Sequence, residues 1–405
     1  MLILKALRHY LPGALLLTTQ AALACAVCIL SISVIRDSQS RLGARVSGDA
    51  ERIWIVHAAD PVGKKASPET IREDLALLSS LAGVQGAAAA DAIPFGGRSR
   101  RFGLCNSAKA MEDAISAGSI EVTGCQQPPI ITATERWLPS MGIPVMQGRD
   151  ADPTEVATGA RVILLSQALA RVLYADEPAV GRQVYLGPDD VRTVIGVFDA
   201  VAGPAPTGSD ADVQWAIQPG YPGGSQRYFA MHARSGLGRQ EVVDGAIEGL
   251  YGLEAYRMLD PEKARSLAEY RDEFLRADTF KARLLGSMTV LVLVIMMVGV
   301  SGMVGSWVNR RRRAIGIRRA LGARQRDILS YFLVENLLLS APGALLGLAL
   351  AAAITHFSRF EALSSWGAGT AAVAVSVVMA TNVLACLQPS LRAARQEPLE
   401  LLRAR

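Results

Sequence analysis

NRRRRAIGIRRALGARQRDILS, residues 309–330, holds eight arginines (Arg310 to Arg313, Arg318, Arg319, Arg324 and Arg326) and one acid, Asp327. Before it lies an apolar run over 284–308, which contains VLVLVIMMVGV; after it lies another over 331–354. Each run has the roughly 20 residues a helix needs to cross about 30 Å of hydrocarbon. So charged a segment between two such runs reads as a loop at the polar surface of a bilayer. Two further runs, 11–35 and 367–387, meet the same requirement. Helices are expected in all four, because a helix pairs its own backbone polar groups. The composition agrees: 405 residues, half of them hydrophobic, with a mean hydropathy of +0.25.

A signal peptide is the alternative for the first run, with Lys5 and Arg8 as its basic start and Ala-Leu-Ala before Cys25 as its cleavage site. The apolar run continues ten residues past Cys25, too long for a signal core of about 7–15 residues, so a membrane span is the reading adopted.

Charge is unevenly placed. Residues 37–283 carry 26 Lys+Arg and 32 Asp+Glu, a net of −6, whereas the rest carries 16 and 5, a net of +11. The large segment is therefore mildly acidic and has no basic, aromatic-studded surface motif, so nucleic acid is not expected as a partner. Lys5 and Arg8 precede the first span, the arginine loop joins the second to the third, and Arg392, Arg395, Arg403 and Arg405 follow the fourth. By the positive-inside rule, the termini and the arginine loop face the cytoplasm and residues 36–283 face the outside. The expected class is an integral membrane protein of four transmembrane helices, with one large α/β (α+β) extracytoplasmic domain inserted between helices 1 and 2. The expected divisions are 1–35 (an N-terminal amphipathic segment and helix 1), 36–283 (the exported domain with a helical stalk) and 284–405 (helices 2–4).

Within the exported segment, IWIV at 53–56 reads as a strand, and SPETIREDLALLSSL at 67–81 as a helix that Ser67 caps and Pro68 starts. The alanine- and glycine-rich stretch that follows, to about residue 100, reads as loops. RVILLSQALARVLY, 161–174, reads as a strand turning into a helix at Ser166; strands follow within 179–201 and at 226–234, and a helix at 238–253. Residues 259–285 read as one charged helix, capped by Asp260 and begun by Pro261, that runs into the second span.

Catalytic chemistry finds no support. There is no G-x-x-x-x-G-K-[ST] phosphate loop and no H-E-x-x-H. His9, His57, His232 and His356 fall in four separate regions, so no metal site is expected. Ser166 lacks the flanking glycines of a nucleophile elbow and reads as a helix cap. Cys25, Cys28 and Cys386 lie in spans as small apolar residues. Cys105 and Cys125 lie in the exported segment, where a disulfide is permitted; two free thiols is the alternative. Gly299, Gly302 and Gly305 on the second span, and Gly343 and Gly347 on the third, suit close helix packing. Asn382 suits a hydrogen bond between helices.

Arg312-Arg313-Ala314-Ile315-Gly316-Ile317-Arg318-Arg319-Ala320-Leu321-Gly322-Ala323 resembles the R-x-x-E-I-G-I-[RK]-[RK]-A-L-G-A segment of FtsX/MacB-type permeases of ABC transporters. VENLLLSAPGALLGLAL (334–350) is similar to that family's third span, and PSLRAARQEPLELLR (389–403) to its terminal motif. ERWLPSMGIPVMQGRD (135–150) and the strand–helix–strand block after it resemble the family's periplasmic domain. Ala314 stands where the family usually has Glu, and Trp137-Leu138 replaces its usual aromatic pair.

The resemblance implies a non-catalytic permease subunit whose Ile315, Gly316, Ile317, Arg318, Arg319, Ala320, Leu321, Gly322 and Ala323 dock into a cytoplasmic ABC ATPase, where ATP and Mg would be bound. It implies a second permease subunit, identical or closely related, and a periplasmic adaptor with an outer-membrane duct. It implies a place in the bacterial inner membrane and movement of the outer domain by the ATPase, used to export a drug, peptide or other small amphiphile. Lipoprotein extraction, FtsX-like activation of a cell-wall hydrolase and an ATPase-independent sensor share the layout and stay open.

Overall fold

The computed structural model describes residues 11–42, 48–61, 65–98, 100–175, 177–207, 209–254, 257–357 and 367–395. The expected amphipathic segment before the first span, most of the loop between the third and fourth, and the end of the C-terminal motif lie outside these residues. The chain divides into a helical unit (1–39 and 279–405) and a sheet unit (40–278). The expected order is the order found: one membrane-capable helix, an α/β domain, then three more such helices.

The chain begins with α1 (Leu11–Leu42). The sheet unit opens with β1 (Ile53–Ala59), α2 (Pro68–Ser80) and β2 (Val84–Ala90). Ser67 caps α2 by accepting a hydrogen bond from the Thr70 amide, at 3.1 Å. β3 (Leu104–Cys105), α3 (Ala108–Ala117), β4 (Cys125–Gln126), β5 (Ile130–Ala133), α4 (Trp137–Ser140), β6 (Val145–Gly148) and α5 (Pro153–Thr158) follow. Then come β7 (Val162–Ser166), α6 (Gln167–Tyr174), β8 (Gln183–Tyr185), β9 (Val191–Phe198), β10 (Ala216–Pro219) and β11 (Gln226–Ala233). A π-turn (Gln240–Asp244) leads into α7 (Gly245–Leu253), and the unit closes with β12 (Met258–Leu259), a 3-10 turn (Pro261–Lys263) and β13 (Arg265–Ser266).

Among the described residues these strands join in one mixed sheet of order β12-β1-β11-β2-β5-β10-β7-β9-β8-β3-β4; β13 pairs with β1 and β6 with β9. The β5/β10 and β7/β9 pairs are parallel. Both faces of the β1–β11–β2 region are covered. Ile53, Ile55, Ala88, Ala90, Tyr228 and Ala230 pack with Trp137 and Leu138 of α4. The alternating residues Trp54, Val56, Ala87, Ala89, Phe229 and Met231 pack under Ile71, Leu75 and Leu78 of α2 and Leu250 of α7. Two-sided burial is why IWIV is a continuous apolar run rather than an alternating one.

Two readings from sequence are corrected. VQGAAAA is a strand deep in the sheet, not a loop: alanine has weak strand preference, but here its small side chain fits between two covered faces. The charged segment from 259 is not one helix. Asp260 caps a 3-10 turn, and the helix starts only at Leu267, after β13.

A disulfide joins Cys105 to Cys125, which sit opposite each other in the β3/β4 register, with Cα atoms 4.0 Å apart. In the chain-entropy picture a bridge closing a loop of this length contributes about 3 kcal/mol. Ser166, fully buried, caps α6 by accepting from the Leu169 amide and also accepts from the Trp215 amide.

The remaining helices are α8 (Leu267–Arg310), α9 (Arg312–Ala320), α10 (Gln325–Phe357) and α11 (Ala368–Arg395). α8 is one continuous helix of 44 residues. In the helical unit, Gly343 and Gly347 let α10 approach α1 so closely that a Cβ would stand 2.6 Å from the Thr18 carbonyl and 2.5 Å from the Ala22 carbonyl. Gly299 meets only the flexible end of Gln20, and a Cβ on Gly302 or Gly305 would meet nothing within 4 Å. Among the described residues, the glycine stripe on α8 thus differs from the pair on α10: at Gly302 and Gly305 there is room for a side chain. Asn336 of α10 donates to Asn382 Oδ1 of α11 at 3.1 Å, the interhelical bond expected for Asn382.

Two outcomes test this account. Asp74 and Arg257 form an ion pair at 2.8 Å with both side chains fully buried, and burial pushes the Asp74 carboxyl up more than Arg257 lowers it. Arg257→Met strands a buried carboxylate and is expected to cost about 3–5 kcal/mol, read from the denaturant midpoint. Asp74→Leu should cost less, since Arg257 keeps Glu254 at 3.5 Å, and the double variant should recover most of the loss. In the helical unit, Gly347→Val must push backbone aside and is expected to lower stability by about 1–3 kcal/mol. Gly302→Val and Gly305→Val should leave the melting temperature of the isolated chain in detergent unchanged.

Candidate functional site

The arginine loop folds as a short helix hung between two long ones. α8 ends where the Arg311 amide bonds the Trp307 and Val308 carbonyls, at 3.1 and 3.2 Å, and α9 resumes at once, with the Ile315 amide on the Arg311 carbonyl at 3.0 Å. α9 ends at a glycine. Gly322 has φ +97°, a left-handed conformation that glycine adopts without penalty. There the Ala323 amide returns to the Arg318 carbonyl at 3.1 Å and the Leu321 amide to that of Ile317 at 3.0 Å, closing the helix as C′ glycines do. α10 then starts at Gln325, and Asp327 accepts the Arg324 amide at 2.9 Å, which satisfies one of the donors orphaned at a helix N-terminus.

Two contacts hold this hairpin to α10. Arg311 Nη1 donates to both oxygens of Glu335, at 3.0 and 2.8 Å, with both side chains largely buried. The Arg318 guanidinium lies over the Tyr331 ring, 4.8 Å from its centroid, a cation–π contact worth about 0.5–1 kcal/mol or more. Beneath α9, Ile315 packs with Ile328 and Phe332, all 6% exposed or less.

The structure thus sorts the residues expected to dock. Ile315 and Gly316 are buried against the bundle and present nothing outward. Ile317 and Leu321, one helical turn apart, point away from it, 47% and 83% exposed. Arg318 and Gly322 are exposed and Ala323 is half-buried. The side chains of Arg319 and Ala320 lie outside the described ones. Ala314, at the position where the family usually has Glu, is exposed next to this stripe. Arg313, Arg324 and Arg326 are exposed around it. The result is a small apolar knob, Ile317 and Leu321, ringed by cations. Glu335 as the partner of Arg311 escaped the sequence reading, because a 24-residue separation has no local pattern.

The knob carries no nucleophile or general base and suits docking rather than chemistry. Elsewhere, among the described residues, no three of His, Cys, Asp and Glu come together as metal ligands would. His57 lies beside Tyr228, and His232 pairs with Asp49 at 3.6 Å.

Comparison with known proteins places this architecture. The chain is 29% identical over 272 residues to the macrolide export ATP-binding/permease protein MacB of Marinobacter nauticus, a match covering 64% of this chain and 40% of that protein. It is 28% identical over 269 residues to the pyoverdine export ATP-binding/permease protein PvdT of Pseudomonas putida, with the same coverage. The chain thus spans about 40% of the length of these curated relatives. Among solved structures, the periplasmic region of MacB from Actinobacillus actinomycetemcomitans aligns with a TM-score of 0.36 and 14% identity, over 53% of this chain and 90% of that one. The extracellular domain of the ABC-type transporter YknZ from Gram-positive bacteria aligns with a TM-score of 0.33 and 15% identity, over 51% and 99%. The model of the FtsX-like permease C-terminal family matches residues 286–398, and that of the MacB-like periplasmic core domain matches residues 20–246, more than half the chain. The chain belongs to the FtsX/MacB-type permeases, as a multi-pass membrane protein with a MacB-like periplasmic core domain.

Proposed function

We propose that this chain is the permease subunit of an ABC-type exporter, driven by an ATPase carried on a separate chain. The observation that carries this reading is the exposed pair Ile317 and Leu321, set among arginines on a helix that Arg311–Glu335 and Arg318–Tyr331 hold in place. An apolar knob held rigidly at a membrane surface is suited to seat in a groove of a partner protein. ATP and Mg bind in that partner, which supplies the hydrolysis. Two permease subunits assemble around the spans, and Gly302 and Gly305, where among the described residues an added Cβ would meet nothing within 4 Å, offer a surface for close helix approach. Both termini and the knob face the cytoplasm of the inner membrane, and the sheet domain faces the periplasm, where an adaptor and outer-membrane duct would receive the cargo. The relatives named for macrolide and pyoverdine export support export over the other uses of this layout.

Affinity purification of the tagged chain from its native membranes is expected to bring down an ATP-hydrolysing subunit. Leu321→Asp should reduce that recovery at least tenfold without altering the melting temperature, since Leu321 is 83% exposed. Undiminished recovery would remove the docking role.

Orientation is tested independently by a cysteine at Ala323. Cys25, Cys28 and Cys386 are buried and Cys105 and Cys125 are bridged, so background labelling is low. Ala323→Cys should resist an impermeant maleimide applied to intact cells and react once the cells are opened. Labelling from outside would reverse the proposed topology.

A further inference from the structure

A cavity of about 430 Å³ lies wholly within the sheet unit, where β1, β11, β13 and the first turns of α8 meet the turn at 95–98. Aromatic rings from several elements line it. His57 and Tyr228 are register partners on β1 and β11, with ring centroids 4.9 Å apart. Phe274 of α8 meets Phe95 edge-on at 6.0 Å. The Tyr270 hydroxyl donates to the Lys263 carbonyl at 2.7 Å, which fixes that ring at the wall.

The turn is built at some cost. Phe95 is 2% exposed yet has φ +59°, a left-handed conformation that a bulky residue rarely adopts. Its amide on the Gly203 carbonyl, and that of Gly97 on Pro204, hold the turn at 3.3 and 3.0 Å. Strain of this kind persists where surrounding contacts impose it, and it collects at ligand clamps.

The cavity's charge is unbalanced. Arg265 pairs with Glu273, and Lys263 with Asp260 at 2.8 Å. Arg98 donates to the Gln226 side-chain oxygen, a neutral acceptor, and among the described residues no carboxylate pairs with it. Burial first, then Lys263 and, more weakly, Arg98 push the pKa of the half-buried His57 below its ordinary value, against Asp260, which raises it. Ligand sites commonly combine apolar walls of this size with a few placed polar groups.

We propose that this cavity binds an aromatic organic anion, with its acidic head on Arg98 and Lys263 and its ring against Tyr228, Tyr270 and Phe274. As a cargo subsite it rests on the export reading, for which it names the cargo class; the binding itself needs neither ATP nor a partner. The probe is naphthalene-2-sulfonate, titrated calorimetrically into the full chain in nanodiscs, with empty nanodiscs as the blank. Saturable binding at one site per chain is expected. Arg98→Gln/Lys263→Gln should weaken it at least tenfold, and Tyr270→Ala several-fold, with melting temperatures that confirm intact folding. The cation 1-(aminomethyl)naphthalene should not saturate. No saturable heat above the blank, equal binding of the cation, or an unchanged affinity in the double variant would each overturn the proposal. The two readings fail separately: loss of ATPase recovery would leave this binding intact, and absence of binding would leave ATPase recovery intact.

Discussion

The salt bridge from Arg311 to Glu335 is the contact on which the arrangement of the helical unit's charged end depends. Eight arginines in 22 residues repel one another, and each prefers water to a helix surface. One carboxylate, largely buried and reached at both oxygens by Arg311 Nη1, pins the first turn after α8 to α10. Charge-assisted hydrogen bonds are roughly twice as strong as neutral ones, so this one holds the start of α9 close to α10. With α9 anchored at its start and closed at Gly322, rotation about its axis is settled: Ile315 must turn inward onto Ile328 and Phe332, which leaves Ile317 and Leu321 outward. The knob is a consequence of that pin rather than a separate invention.

The features that sequence made legible are those with a local physical cause. Four apolar runs of sufficient length give four helices, because a bilayer leaves the backbone no other partner. Ser67 and Ser166 were readable as caps because a hydroxyl before an apolar period has one common use, and both cap. The arginine segment could be located, but not its two faces. A stretch of nine expected contact residues contained buried Ile315 and Gly316 beside exposed Leu321, and contacts to Ile328, Tyr331, Phe332 and Glu335 of α10 decide which is which. The start of α8 was misplaced for a related reason. Arg265 and Ser266 carry no strand preference of their own and become a strand because Trp54 and Ile55 offer an unpaired edge.

β2 shows how tertiary context overrides propensity. Four successive alanines following Gly86 would make a poor isolated strand, yet Ala87 to Ala90 lie between β11 and β5 with both faces covered. Larger residues would hold α2 away from the sheet on one face and α4 on the other. The small side chains were a packing requirement, and packing against elements tens of residues away is not encoded in any local period. The aromatic and cationic lining of the cavity is similarly dispersed, from His57 to Phe274, so no motif could have announced it.

The two units are held by different forces. In the sheet unit, removal of apolar surface from water is the driving term, with side chains such as Trp137, Trp215 and Phe229 almost wholly buried. In the helical unit, Met288, Leu291, Val294 and Val298 are exposed along α8, and in lipid such exposure carries no penalty. Hydrocarbon is as apolar as leucine, so burial cannot gather the helices. What remains is contact: close packing of side chains such as Leu17, Ile29, Met296, Phe332 and Val378, backbone approach at Gly343 and Gly347, the Asn336–Asn382 bond, and the Ser301 hydroxyl on the Ala385 carbonyl at 2.7 Å. Such contacts are short-ranged, and a single added methyl at Gly347 acts directly on backbone.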